Sequence, residues 1–257
     1  LEQSREALVR ANRRLQLELA EAANYVRSIL PPPLTEPFVA DWRFIPSTEL
    51  GGDSFGYHWI DQDHFALYVL DVCGHGVGSA LLSVAASNTL RSHALPNTDF
   101  REPGEVLSQL NQAFLMENNN NLYLTVWYGV FHRVTRRLRY ACAGHPPALL
   151  MRGEPRGVAR IDELRTRGPV LGITSSVTYR TQECTVPAPS RLFLMTDGVY
   201  EVQKSDGTML EFSQFLEVLS EPASANGSEL DRLLEFVHAL HGPGPLEDDF
   251  SIVKFEL

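Results

Sequence analysis

Four short stretches of the sequence place an aspartate where a run of apolar or turn residues ends or begins. The first is Gly51-Gly52-Asp53; the second is Asp71-Val72-Cys73-Gly74-His75-Gly76, directly after the apolar Leu67–Leu70. The third, Met195-Thr196-Asp197-Gly198, follows Leu192–Leu194, and the fourth, Leu246-Glu247-Asp248-Asp249, precedes the apolar Phe250–Phe255. Taken singly, each aspartate has an ordinary structural explanation, as a helix cap or an Asx turn. Four at strand ends or sharp turns form a set, because a carboxylate there projects from a rigid scaffold. Magnesium and manganese are hard cations that prefer such oxygen donors, and bridging carboxylates hold two of them roughly 3.5–4 Å apart. A cation pair of this kind lowers the pKa of a water and neutralises charge on a transferring phosphoryl group. Phosphoester hydrolysis is the expected chemistry.

Other chemistries find no support. Gly76-Val77-Gly78-Ser79-Ala80 lacks the spacing of a nucleophile elbow, and neither a phosphate-cradling G-x-x-x-x-G-K-[ST] nor H-E-x-x-H occurs. Gly51-Gly52-Asp53 continues as Ser54-Phe55, which departs from a nucleotide cyclase signature. His75, between glycines, suits either protonation of a leaving oxygen or the shaping of a turn. Cys73 reads first as a small core residue and second as a thiol near the metals. His145, in Gly144-His145-Pro146-Pro147, reads as part of a structural turn that bonds backbone rather than metal.

The elements that must carry these residues follow from periodicity. Residues 1–30 lack Gly and Pro and are rich in Leu, Ala, Glu and Arg, so one helix is expected until Pro31-Pro32-Pro33 stops it. Its heptad of Leu1, Leu8, Leu15, Ala22 and Ile29 has weak companion positions, which leaves open a helix lying on its own domain or a dimeric coil. Strands are expected over 38–45, 55–60, 65–72, 123–134, 137–143, 148–151, 177–186, 191–195 and 250–255. Helices are expected over 77–90, 106–115, 212–219 and 229–240. Hairpins interleaved with helix pairs argue for a layered α+β domain with helices outside. The division is a connector over 1–33 and a catalytic domain over 34–257.

Composition bounds the partners. Twenty-two Lys and Arg against 32 Asp and Glu give a net charge of −10, which opposes binding to nucleic acid or an anionic membrane. Cys73, Cys142 and Cys184 lie far apart with no C-x-x-C pair, as in a reducing cytosol. No run reaches the roughly 18 apolar residues of a membrane span, and no signal segment opens the chain. A start at Leu1 suggests a fragment of a longer chain, with a sensor or membrane anchor upstream as the expectation.

In order, GGDSFGY, LDVCGHGVGSALL, YACAGHPPALL, LFLMTDGVYE and EDDFSIV resemble the SpoIIE/RsbU branch of the PPM (PP2C-like) serine/threonine phosphatases, over residues 25–257. The resemblance implies a four-layer αββα sandwich of two antiparallel sheets with two manganese or magnesium ions at one end. By motif, Asp53 and Asp71 serve the central metal pair, and the Val72 carbonyl joins Asp71 on the second metal. Asp197 and Asp248 complete the first, Asp248 being preferred to Asp249 by its place ahead of Ser251. The implied substrate is a phosphoserine or phosphothreonine on a STAS-domain anti-sigma-factor antagonist in bacterial partner switching. The alternative is a catalytically weak relative that only binds its partner. Departures are Ser54-Phe55-Gly56, where relatives often have Phe-Tyr-Asp, and Cys73 in place of a small residue. Residues 152–176 and 202–230 diverge most from the motifs and are the expected substrate-contacting loops.

Overall fold

The computed structural model describes residues 2–47, 50–153, 160–221 and 228–257. Leu1 of the heptad and the segments 154–159 and 222–227 of the expected substrate loops lie outside the described residues.

Helix α1 (Glu2–Ile29) stops just ahead of the three prolines, as their missing N–H groups require. The proline run is then tied to the body: Trp42 Nε1 donates to the Pro31 carbonyl at 3.0 Å and the Tyr57 hydroxyl to the Pro32 carbonyl at 2.6 Å. Along α1 itself, Leu8, Val9, Leu15 and Leu17 are exposed, so the apolar stripe does not lie on its own domain.

Among the described residues ten strands follow: β1 (Val39–Ile45), β2 (Ser54–Trp59), β3 (His64–Val72), β4 (Leu124–His132), β5 (Arg137–Ala143), β6 (Ala148–Arg152), β7 (Arg160–Leu164), β8 (Gln182–Thr185), β9 (Ser190–Met195) and β10 (Phe250–Glu256). They form two antiparallel five-stranded sheets, in the orders β1-β10-β9-β6-β7 and β2-β3-β4-β5-β8. Helices α2 (Val77–Arg91) and α3 (Pro103–Ala113) cover the outer face of the second sheet. Helices α4 (Phe212–Ser220) and α5 (Glu229–His241) cover that of the first. The fold is the αββα sandwich that the family resemblance implied.

Strand β3 shows why these layers assemble. Successive side chains of a strand point to opposite faces, so Phe65, Leu67 and Val69 enter the core between the sheets. Ala66, Tyr68, Leu70 and Val72 face α2 and α3. Both faces are covered, which is why the strand reads as a continuous apolar run instead of an alternating one. Each of these fully buried Leu or Val side chains stabilises the fold by about 1.5–3 kcal/mol.

Two elements differ from the expectation. Strand β7 falls in a segment expected to be a loop. It is an edge strand whose Arg160, Asp162 and Glu163 keep it polar, and only Leu164 is fully buried. The strand expected over 177–186 pairs with β5 only over Gln182–Thr185, while Val177 and Tyr179 pack on the α2/α3 core.

Candidate active site

The four aspartates reach one end of the sandwich from both sheets. Asp71 is the next-to-last residue of β3, and Asp53 immediately precedes the neighbouring β2, whose Ser54 pairs with Leu70. On the other sheet Asp197 follows β9, and Asp248 lies just before β10, whose Ile252 pairs with Met195. Within each half the backbone packs closely enough to exclude a side chain. A methyl group added to Gly52 would lie 2.4 Å from the Val72 carbonyl oxygen and 3.4 Å from Asp71 Oδ1. One added to Gly198 would lie 2.2 Å from the Asp249 carbonyl. Only glycine permits such approach of backbone to backbone.

Hydrogen bonds fix the innermost carboxylate. Thr196 Oγ1 donates to Asp53 Oδ2 at 2.7 Å, joining the two sheets at Asp53, which is 3% exposed. Asp249 is likewise buried and acts as a strut: its Oδ1 accepts from the Ser47 N–H at 2.9 Å and the Ser47 hydroxyl at 3.1 Å. Its Oδ2 accepts from the Asp53 N–H at 3.4 Å. Asp248 is the exposed member of the pair, and its Oδ1 caps the Asp249 N–H at 2.8 Å. This division of labour suits Asp248 as a ligand and Asp249 as its support.

The electrostatics show what the site lacks. Burial, and then the charges of Asp71 and Asp249, hold the Asp53 carboxyl well above the usual carboxylate range. Asp71 is pushed up to about 7 by burial and by Asp197, Asp248 and Asp249. Burial and Glu201 raise Asp197; burial raises Asp248, with Asp197 and Asp249 adding to it. Among the described residues no Lys or Arg opposes these charges; Asp248 is lowered only by the Asp249 N–H that it caps and, less, by His75. Oxygen donors crowded without a countercharge fit hard divalent cations. Among the described residues no three His, Cys, Asp or Glu side chains converge into a ready-made ion cage. The fit to a metal pair therefore rests on donor chemistry and shared electrostatics.

The remaining motif residues take structural places. His145 is buried between the sheets: its Nε2 stands 3.1 Å from the Met195 carbonyl and its Nδ1 2.7 Å from Thr125 Oγ1. A carbonyl can only accept, so Nε2 carries the proton and Nδ1 accepts from the threonine hydroxyl. Burial pushes the imidazole down to about 3, which keeps it neutral. Thr125 sits opposite Asp71 in the β3–β4 register, and Met195 is two residues before Asp197, so His145 ties together the strands that carry both. Cys73 Sγ accepts from the Tyr123 N–H at 3.2 Å, and Ser79 Oγ donates to the Cys73 carbonyl at 3.1 Å. Neither Thr196, Thr125 nor Asp249 was assigned a role from sequence; only the adjacency of Thr196 and Asp249 to expected ligands pointed to them.

Beside Asp197 lies a cleft of about 580 Å³, lined among others by Arg165, Arg167, Tyr200, Glu201 and Phe212. Its arginine wall belongs to the divergent segment 152–176, whose described part thus borders the site.

Comparison with known proteins agrees with this geometry. The family profile described as Stage II sporulation protein E (SpoIIE) matches residues 61–257. The phosphoserine phosphatase RsbP of Bacillus subtilis is 31% identical over 199 residues, 74% of this chain and 46% of RsbP. The phosphoserine phosphatase RsbU of the same organism is 24% identical over 247 residues, 93% of this chain and 70% of RsbU. The chain thus spans about half of the first relative's length. Among solved structures, the SiaA-PP2C domain of Pseudomonas aeruginosa superimposes with a TM-score of 0.80 at 22% identity, covering 96% of this chain and 98% of that one. With the SpoIIE profile matching most of its length and the PP2C fold reproduced at a TM-score of 0.80, the chain belongs to the SpoIIE family of PP2C-like phosphatase domains.

Proposed function

We propose that the chain is a metal-dependent protein serine/threonine phosphatase whose centre holds two manganese or magnesium ions. The observation that carries this reading is the set of mutually repelling carboxylates, Asp53, Asp71, Asp197 and Asp248, with no Lys or Arg among them. Asp53, Asp71 and the Val72 carbonyl would hold the central pair, with Asp197 and Asp248 completing one ion's shell. The bound pair would supply Lewis acidity toward the phosphoryl group and an activated water. The chain's own residues orient that centre: Thr196 fixes Asp53, Asp249 fixes the Ser47 and Asp53 backbone, and His145 spans the sheets.

The substrate we propose is a phosphoserine or phosphothreonine on a STAS-domain anti-sigma-factor antagonist, within bacterial partner switching. The names of RsbP and RsbU as phosphoserine phosphatases support the phosphoserine part. No helix of the described chain is long and apolar enough to cross a membrane, and Cys73, Cys142 and Cys184 are free thiols. A cytoplasmic domain, itself part of a longer sensor chain that is membrane-anchored or not, accords with both.

Regulation through α1 belongs to the same proposal. Its exposed Leu8 and Leu15 suit pairing with a second copy. At its other end Arg91 Nη1 of α2 donates to the Ile29 carbonyl at 3.4 Å, and Ser87 of α2 donates to Ser54, next to Asp53, at 2.8 Å. A shift of α1 thus has a physical route to the metal end.

Hydrolysis of p-nitrophenyl phosphate with manganese, with magnesium and with excess EDTA tests the central claim. Turnover is expected with either metal and lost in EDTA; undiminished turnover in EDTA would sink it. No turnover with either metal, alongside retained binding of a phosphoprotein, would favour the phosphatase-like binding module.

A further inference from the structure

We infer that the cleft beside Asp197 seats the polypeptide flanking the phosphorylated residue, and that Arg165 and Arg167 select acidic side chains in that segment. The inference rests on the phosphatase reading above. It starts from the way the two arginines are presented. Thr166 is buried between them, its Oγ1 accepting from the Cys142 N–H at 2.8 Å and facing the Cys142 carbonyl at 3.4 Å. The Gly144 N–H donates to the Gly168 carbonyl at 3.1 Å, so the segment is held at both ends against the strand that leads to His145. With Thr166 turned inward, the alternation of an extended segment turns Arg165 and Arg167 outward, and both are exposed. They are cations on a fixed rail.

Their surroundings select the ligand. Arg165 pairs with Glu163, yet its side chain remains 61% exposed, and its charge is felt at Tyr200 on the cleft lining. Arg167 makes no hydrogen bond or ion pair among the described residues. Tyr200 and Phe212 meet edge to face with ring centroids 4.8 Å apart and give the cleft an apolar part. Its acidic lining residues are Glu201 and Asp197, and Asp197 would be neutralised by the cations it holds. Loaded with metal, the cleft would present two guanidinium groups against the single uncancelled lining carboxylate Glu201, on a chain of net charge −10 that elsewhere repels acidic partners. A guanidinium fork matches carboxylates in two-point contact. The phosphoryl group itself belongs at the aspartate end, so about 580 Å³ of cleft is left for neighbouring residues.

The test uses the full chain with manganese and two fluorescein-labelled phosphoserine peptides that differ only in carrying glutamates or glutamines around the phosphoserine. We expect kcat/KM to favour the glutamate peptide by about tenfold at low salt, with the preference falling as salt rises. Arg165→Glu with Arg167→Glu should abolish or invert that ratio, and Arg167→Lys should keep part of it. Equal kcat/KM for the two peptides in the unsubstituted chain would overturn the inference. So would an equal fall on both peptides in the double variant, which would show that the arginines hold the phosphoryl group or the fold. If the unsubstituted chain hydrolyses neither peptide, the phosphatase reading fails. Fluorescence anisotropy of the same peptides then decides this inference alone: a glutamate preference lost in the double variant upholds it, and no preference overturns it.

Discussion

Replacing His145 by leucine would test how much of the tie between the two halves of the candidate metal end rests on this side chain, beside the Thr196–Asp53 bond. Leucine keeps much of the volume but removes both hydrogen bonds, leaving the Met195 carbonyl and the Thr125 hydroxyl without their buried partner. A fully buried polar group left unsatisfied, such as the Met195 carbonyl, costs about 1–3 kcal/mol and the half-buried Thr125 hydroxyl less, so a loss of about 2–4 kcal/mol in unfolding free energy is expected. The damage should not stop at stability. Thr125 registers with Asp71, and Met195 leads to Asp197, so loosening the tie changes the spacing of ligands on opposite sheets. Manganese affinity, measured by calorimetry on the folded protein, should weaken by about tenfold, the scale on which outer partners tune metal sites. Urea unfolding in EDTA separates the two effects, because it reports the metal-free fold alone. His145→Asn, which can still donate to one carbonyl, should lie between parent and leucine variant. Unchanged manganese affinity together with an unfolding free energy within about 0.5 kcal/mol of the parent would refute the reasoning.

Asp71→Ala and Asp197→Ala should each lower metal-dependent turnover by at least about a hundredfold while leaving the far-ultraviolet circular dichroism intact; near-normal activity in either would refute the ligand assignment. Asp248→Ala should act mainly on activity, whereas Asp249→Ala, which strips Ser47 and Asp53 of their acceptor, should cost about 1–3 kcal/mol in chemical denaturation; the reverse pattern would exchange their roles. Because the Asp71 carboxyl is raised to about 7, the metal-free fold gains from its protonated form, a gain complete below the unfolded value near 4 and lost as the pH rises through 7. Relative to Asp71→Asn, the parent in EDTA should therefore lose stability between about pH 4 and about pH 7, by an amount on the order of 3–4 kcal/mol, and a pH-independent difference would contradict the crowding described. Sedimentation of the full chain should show concentration-dependent dimers that Leu8→Glu with Leu15→Glu abolishes; monomers throughout would leave α1 as a solvated connector.

Much of this was readable in the sequence where local signals agree. Strand β3 announced itself because burial on both faces makes its apolar run continuous, and the aspartate that ends it stands out against that run. The proline stop of α1 and the helices α2 and α5 followed from composition and period. Strand β7 was hidden because an edge strand with one buried side chain carries no periodic signal, and the Trp127 indole that bonds the Leu164 carbonyl lies 37 residues away. The supports of the site were hidden for the same reason. That Asp249 holds Ser47, or that His145 bridges Thr125 and Met195, depends on contacts between distant segments, which no spacing along the chain encodes.

The order of strands in the first sheet has a consequence for how this protein is made. Strand β1 leaves the ribosome well before its partner in the sheet, β10, which emerges some two hundred residues later. Until then β1 stands as an unpaired edge, open to wrong partners, and the Asp248 half of the metal end does not exist. The proposed site cannot be completed until β10 has slid between β1 and β9. Loss of β10 would therefore disconnect β1 from the sheet rather than merely shorten it.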